Sequence, residues 1–211
     1  MASFKLYRHV MSGHSHRVQV FLSLLGLDAE LIDVNLAKGE HKSAEYLQKN
    51  NFGQVPVLEI NDEGKEITLA DSNAILVYLA SQYDANRSWF PENLEQACEV
   101  QRFLSVAAGK IAYGPANARL VNVFGAALDH EYAKNIAHGI FSQLESHLQG
   151  RDWLVTDSAT IADVANYTYI ALAPEGDVSL ENYPNIRAWL TRFENLKGFV
   201  PMKSTAVGLN A

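Results

Sequence analysis

Apolar residues recur along this chain with two different periods, and the change from one to the other marks its organisation. Phe4 and Leu6 alternate with Lys5 and Tyr7, the period of a strand with one buried face. Beyond the polar bend Met11-Ser12-Gly13-His14, the positions Val18, Phe21, Leu22 and Leu25 lie three and four apart, which predicts a helix closed by Gly26. Glu30 to Leu36 predicts a second strand, so the opening is a right-handed βαβ unit. Helical composition returns from Glu40 to Lys49. Val57 to Ile60 and Lys65 to Leu69 then flank Asn61-Asp62-Glu63-Gly64, a hairpin signature. Ser72-Asn73 start a helix with Ile75, Tyr78 and Leu79 facing inward. The order over residues 1–83 is β-α-β-α-β-β-α.

Residues 84–91 carry no period and read as a linker, ending in Trp89-Phe90-Pro91. From 92 to 211 every period is helical. Leu94, Phe103, Leu104, Ala107, Ala108 and Ile111 mark one face of a long helix that Gly114-Pro115 should kink or stop, with Leu120, Val121 and Phe124 continuing beyond. Tyr132, Ile136, Ile140, Leu144 and Leu148 recur every four residues up to Gly150. Thr160-Ile161-Ala162-Asp163 has the form of a capping box with Asp in place of Glu or Gln, and Pro174 closes that helix. Tyr183-Pro184 opens a last helix with Ile186, Leu190 and Phe193 inward. The pattern predicts an α+β domain over 1–83, a linker, and an all-helical domain over 92–211.

Composition narrows the function. With 24 acidic against 17 basic residues the net charge is −7, and no basic cluster interleaved with aromatics appears, which argues against nucleic acid as a partner. No uncharged apolar run reaches the length of a bilayer span, and the first residues lack the form of a secretory leader, so the expected location is the cytoplasm. A single cysteine, Cys98, excludes an internal disulfide and a Cys-x-x-Cys redox pair, and its helical context reads as a buried structural thiol. Any thiol chemistry must then come with a ligand.

Three short segments carry candidate chemistry. In Phe52-Gly53-Gln54-Val55-Pro56-Val57 a proline without an N–H opens an apolar strand. One reading is a trans proline at a strand start; the other is a cis peptide that turns the Val55 amide and carbonyl toward an extended peptide ligand. Ser12, at the mouth of the first helix, reads either as a helix cap or as a hydroxyl placed with the helix N-terminus to favour an anionic sulfur. Asp71-Ser72 at another helix start suits a charged amino-acid head, the N–H groups taking a carboxylate and the Asp an ammonium, or is a plain cap.

Ser12 in the first loop, Gly53-Gln54-Val55-Pro56 before the hairpin, Asp71-Ser72, Thr160-Ile161-Ala162-Asp163 and Tyr183-Pro184 with Trp189 together resemble the cytosolic glutathione S-transferases over nearly the whole chain. The serine-type branch, similar to theta, phi and bacterial members, fits best. Asn51 departs from a frequent proline, which touches only the local loop. The resemblance implies a thioredoxin-like domain followed by a helical bundle, a homodimer, a cis Val55-Pro56 bond, glutathione as co-substrate with no metal, and a detoxifying transferase. It makes Ser12 the catalytic hydroxyl, Asp71 and Ser72 the partners of the γ-glutamyl end, and Val55 the backbone partner of the cysteinyl residue beside Pro56. His41, Lys42 and Gln54 would hold the glycyl end. Ser15 is the alternative helix cap or a supporting donor, and Tyr7 is a rival donor because some branches use a tyrosine at the end of the first strand.

The electrophile pocket is expected between the Val10 to His14 loop and the helix from Gln101 to Arg119, with Val10, His14 and Tyr113 as lining residues. Lys110, Asn117 and Arg119 are polar candidates there, and Phe52 resembles an aromatic key inserted into a partner subunit. His9, His14 and His16 lack the ligand spacing of a zinc hydrolase. Two other functions stay open: glutathione-dependent reduction of disulfides or peroxides, and a non-catalytic protein that kept the fold.

Overall fold

The computed structural model describes residues 2–206 of the 211. Its chain divides into two compact units, residues 2–85 with 197–203, and residues 86–196 with 204–206. The return of 197–203 to the first unit corrects the sequence reading, which gave everything from 92 onward to the helical domain. A chain end without periodicity carries no local sign of where it docks.

In the first unit β1 (Ser3–Arg8), β2 (Ala29–Asp33), β3 (Val57–Asp62) and β4 (Lys65–Ala70) form one sheet in the order β2-β1-β3-β4. β1 runs parallel to β2 and antiparallel to β3, and β3 pairs antiparallel with β4. The hairpin turn is Glu63-Gly64, both at positive φ, the two-residue turn whose twist matches its strands. α1 (Gly13–Leu24) and α3 (Ser72–Tyr83) bury Val18, Phe21, Leu22, Ile75, Leu76 and Leu79 in a core with Phe4 and Leu6. β2 is shorter than its apolar run, because Val34 leaves the ladder after donating to the Arg8 carbonyl at 2.7 Å. The segment expected as one helix from Glu40 splits into a 3₁₀ turn, Glu40–Lys42, and α2 (Ala44–Lys49), since the Ser43 side chain caps α2 by accepting from Tyr46 N–H.

The second unit holds α4 (Leu94–Val106), a π-helical stretch Ala107–Ala116, α5 (Asn117–Phe124), α6 (His130–His147), α7 (Ile161–Ala171) and α8 (Pro184–Glu194). The expected break at Gly114-Pro115 is absent. The chain passes through in widened turns, which relieve the clash of a proline ring with the carbonyl one turn back. Gly114 is needed for a different reason: a Cβ there would lie 2.8 Å from the Ala137 nitrogen of α6. Leu94 and Tyr132, read as inward, are 75% and 66% exposed, and α6 instead buries Ala133, Ala137, Ile140, Phe141 and Leu144. Cys98 is also exposed, which overturns its reading as a buried thiol.

The expected capping box is present at α7, and its Asp163 is a hub as well. The wholly buried carboxylate accepts from Thr160 N–H (2.8 Å), Thr160 Oγ1–H (3.1 Å), Leu154 N–H (3.0 Å) and Trp189 Nε1–H (2.9 Å). It thereby ties α7, α8 and the 153–160 loop together.

Candidate active site

Strand register brings the candidate residues to one edge of the sheet. Val57 pairs with Tyr7 on one side and with Ala70 on the other. The end of β1, the start of β3 and the end of β4 therefore lie side by side, and the segments around Ser12, Val55-Pro56 and Asp71-Ser72 leave the sheet together. The Val55-Pro56 bond is cis, as the resemblance implied. Among the described residues, neither the N–H nor the C=O of Val55 has a hydrogen-bond partner.

Ser12 caps α1. Its N–H donates to the His9 carbonyl at 2.9 Å and its Oγ accepts from Ser15 N–H at 3.2 Å. Ser15 is therefore not the cap; it is buried, and its Oγ accepts from the His9 N–H at 3.2 Å, which fixes the same loop from beneath. The Ser12 hydroxyl hydrogen donates to no described residue, so a half-buried O–H, already accepting one bond, is left as a donor at the positive end of α1. The Tyr7 hydroxyl, the rival donor, is committed elsewhere: it donates to Glu59 Oε2 at 2.9 Å, and Lys49 Nζ bonds Glu59 Oε1 at 2.5 Å while lying 4.8 Å from the Tyr7 ring.

Asp71 holds φ 70°, a strained position for a residue with a Cβ, and its Oδ1 caps α3 by accepting from the N–H groups of Asn73 and Ala74, each at 2.9 Å. Oδ2 has no partner among the described residues. Ser72 corrects the expectation of a hydroxyl open to ligand. Its Oγ accepts from Arg17 Nη1 at 2.8 Å and lies 3.2 Å from His14 Nδ1, so the hydroxyl is consumed internally and only the Ser72 N–H remains to offer. Arg17, which also donates to Asn73 Oδ1 at 2.8 Å, is the member of this cluster that sequence reading missed. It occurs in an apolar helical run, where a charged residue reads as surface, and only the fold reveals that it is buried.

Burial, helped by the Arg17 guanidinium, pushes the His14 imidazole down to about 3. Burial also pushes His16 down to about 4; its bond to the Val200 carbonyl opposes this, and Arg8 adds to it. Both stay neutral in the folded chain while the unfolded chain protonates them near the ordinary 6.5. The unfolded state therefore binds more protons below that value, and stability falls as pH drops through the window from 6.5 toward 4 and levels above it. Urea midpoints taken across this window should show the decline, and His16→Gln should remove about one proton from the slope, roughly 1.4 kcal/mol per pH unit. A slope unchanged by that substitution would refute this account of the acid limb.

The Gly53 backbone lies against the 3₁₀ turn: φ is 57°, and a Cβ would lie 2.7 Å from the His41 carbonyl oxygen and 2.8 Å from Lys42 Nζ. Gly53→Ala should cost about 2 kcal/mol, a melting temperature lower by roughly 4–8 °C. A melt within a degree of the parent's counts against this tight fit. Lys42 Nζ donates to the Phe52 carbonyl at 3.1 Å, the Gln54 carbonyl accepts from Tyr46 and Asn50, and the Gln54 side chain is exposed. His41 Nδ1 is buried without a hydrogen-bond partner.

Of the residues expected around an electrophile, Val10 and His14 belong to the first unit and Tyr113 to the second. Tyr113 is 64% exposed on a mainly apolar groove of about 510 Å³ that it shares with Lys110, Asn117, Leu128, Tyr132 and Ile136. Arg119 is not available to a ligand: it is buried and its Nε donates to Glu175 Oε2 at 2.5 Å. Among the described residues no three His, Cys, Asp or Glu side chains gather to hold a metal ion, and no helix is long and apolar enough to cross a membrane.

Residues 2–81 match the family model described as glutathione S-transferase, N-terminal domain, and residues 116–197 match glutathione S-transferase, C-terminal domain. The chain is 29% identical over 203 residues to glutathione S-transferase theta-2 of Homo sapiens, spanning 92% of this chain and 82% of that protein. It is 31% identical over 216 residues to glutathione S-transferase 2 of Schizosaccharomyces pombe, spanning 91% of each. The structure of a glutathione transferase homolog from Drosophila mojavensis with bound glutathione superposes with a TM-score of 0.83 at 27% identity, over 93% of this chain and 89% of that one.

Proposed function

We propose that Ser12 of this chain, which belongs to the glutathione S-transferase family and is a glutathione transferase, donates its hydroxyl hydrogen to the sulfur of bound glutathione and holds it as thiolate. The observation that carries this reading is the uncommitted Ser12 O–H at the α1 N-terminus, on the same sheet edge as the unpartnered Val55 amide and carbonyl. Val55 beside Pro56 pairs with the cysteinyl residue as a single added strand. Asp71 Oδ2 takes the γ-glutamyl ammonium, and the Ser72 N–H takes its carboxylate at the start of α3. The glycyl end lies along His41, Lys42 and the free Gln54 side chain. No proton acceptor beyond solvent is required, because a thiolate stabilised by about 2–3 kcal/mol is already abundant near neutral pH.

The thiolate attacks a small hydrophobic electrophile, with Val10 and His14 of the first unit as its proposed contacts, and Tyr113 stays a candidate on the apolar groove of the second unit. Phe52, 74% exposed beside the glutathione loop, supports a homodimer in which it enters the partner. The reading also takes the cytoplasm as its location, where reduced glutathione is plentiful.

Calorimetric titration with glutathione, followed by parallel assays with an aryl halide, a mixed disulfide and an organic hydroperoxide, tests the whole reading. Binding with fastest turnover of the aryl halide is expected. Faster turnover of the disulfide or hydroperoxide would replace transfer by reduction as the main activity, and absence of binding would leave a non-catalytic protein on this fold.

A further inference from the structure

α2 and the residue that ends it supply two donors that converge on one backbone oxygen. Tyr46 Oη–H and Asn50 Nδ2–H each donate to the Gln54 carbonyl oxygen at 2.9 Å, which occupies both of its lone pairs. Both side chains are buried, so a broken bond leaves a donor with little water to replace its acceptor. Burial, with Tyr7 adding to it, pushes the Tyr46 hydroxyl up to about 12, so it keeps its proton. Asn50 is itself held: its Oδ1 accepts from Phe52 N–H at 3.1 Å, its carbonyl accepts from Gly53 N–H at 2.8 Å, and its N–H donates to the Tyr46 carbonyl at 3.0 Å. The Val55 side chain packs on the same apolar cluster, against Val34, Tyr46 and Val57.

The Gln54 carbonyl and the Val55 N–H belong to one peptide unit, trans and planar, so the two groups point in opposite directions. Fixing the oxygen toward α2 therefore fixes where the N–H points, and that N–H has no partner among the described residues. Hydrogen bonds to the oxygen also polarise the amide and make its N–H a stronger donor. We propose that Tyr46 and Asn50 are positioning residues for glutathione: by holding the Gln54–Val55 peptide plane they aim the Val55 N–H at the cysteinyl carbonyl of the ligand. This rests on the pairing of Val55 with the cysteinyl residue given above. In this role neither side chain acts on the sulfur, so the effect falls on binding and is equal in the ground and transition states.

The test titrates the full-length parent, Tyr46→Phe and Asn50→Asp with glutathione and with the analogue in which an ester replaces its cysteinyl-glycyl amide, a poorer acceptor at the same carbonyl. Phenylalanine keeps the ring in its cluster and loses only the hydroxyl; aspartate keeps the acceptor for Phe52 N–H and loses the donor. Calorimetry should show each variant binding glutathione about three- to tenfold more weakly, the worth of one hydrogen bond, and the ester analogue about twofold more weakly or less. Turnover at saturating glutathione should stay within about twofold of the parent's, with the acid limb of its pH profile in place. Parental glutathione affinity in Tyr46→Phe, an equal loss for both ligands, which a loosened loop alone would give, or an acid limb displaced as in Ser12→Ala overturns the proposal. Tyr46→Phe decides by itself if Asn50→Asp does not fold. A parent that binds the ester as tightly as glutathione removes the Val55 pairing and this inference with it, whereas the variant outcomes bear on Tyr46 and Asn50 and leave that pairing standing.

Discussion

Ser12→Ala is expected to lower conjugation turnover about 10- to 100-fold near neutral pH while changing glutathione affinity less than about threefold, because the lost bond is about 1.5–3 kcal/mol stronger to the thiolate than to the thiol. The pH profile separates this from damage to the fold. Without the hydroxyl the bound thiol returns toward the ordinary 8.5 or so, and the acid limb of the rate should move up by one to two pH units. Ser12 also caps α1, so alanine costs about 1 kcal/mol of stability, whereas glycine costs only a few tenths. Ser12→Gly is therefore the cleaner probe, and it should show the same kinetic loss with little change in melting. A pH profile unmoved in both variants would remove Ser12 from the chemistry.

Asp163→Ala should be the most destabilising single change, about 4 kcal/mol or more. Burial pushes the Asp163 carboxyl up, against the four donors that hold it. Its removal leaves the Leu154 N–H, the Thr160 N–H and the Trp189 indole N–H buried with nothing to accept them. Trp189→Phe, which removes one donor and part of the buried indole but leaves Asp163 its other three donors, should cost less, about 2–3 kcal/mol. Urea unfolding followed by circular dichroism decides it: midpoints for the two variants that agree, or an Asp163→Ala midpoint close to the parent's, would show that the hub carries little of the stability.

What was legible in the sequence was what neighbours in the chain decide. The Glu63-Gly64 turn, the Gly26 stop after α1 and the Thr160–Asp163 box each depend on a few adjacent residues, and each stands where the pattern put it. The sequence leaves the cap of α1 open between Ser12 and Ser15, because they offer the same hydroxyl three residues apart and only backbone geometry separates cap from first turn. Tyr132 and Leu94 were read as core from their spacing, but the spacing leaves open which face of a helix meets a neighbour. At Gly114-Pro115 local chemistry predicted a stop, and tight packing against α6 carried the helix through.

The sequence by itself determined the order of elements, the two-unit plan and the short segments that bear chemistry, since periodicity and turn residues act over a few positions. Tertiary structure alone decided that Ser12, Val55 and Asp71 share one sheet edge, that Arg17 is buried beside Ser72, that Arg119 is consumed by Glu175, and that residues 197–203 return to α1. Those outcomes depend on strand register and on contacts between residues tens of positions apart, whose free energy is set by burial and pairing in the assembled fold and leaves no local trace in the chain.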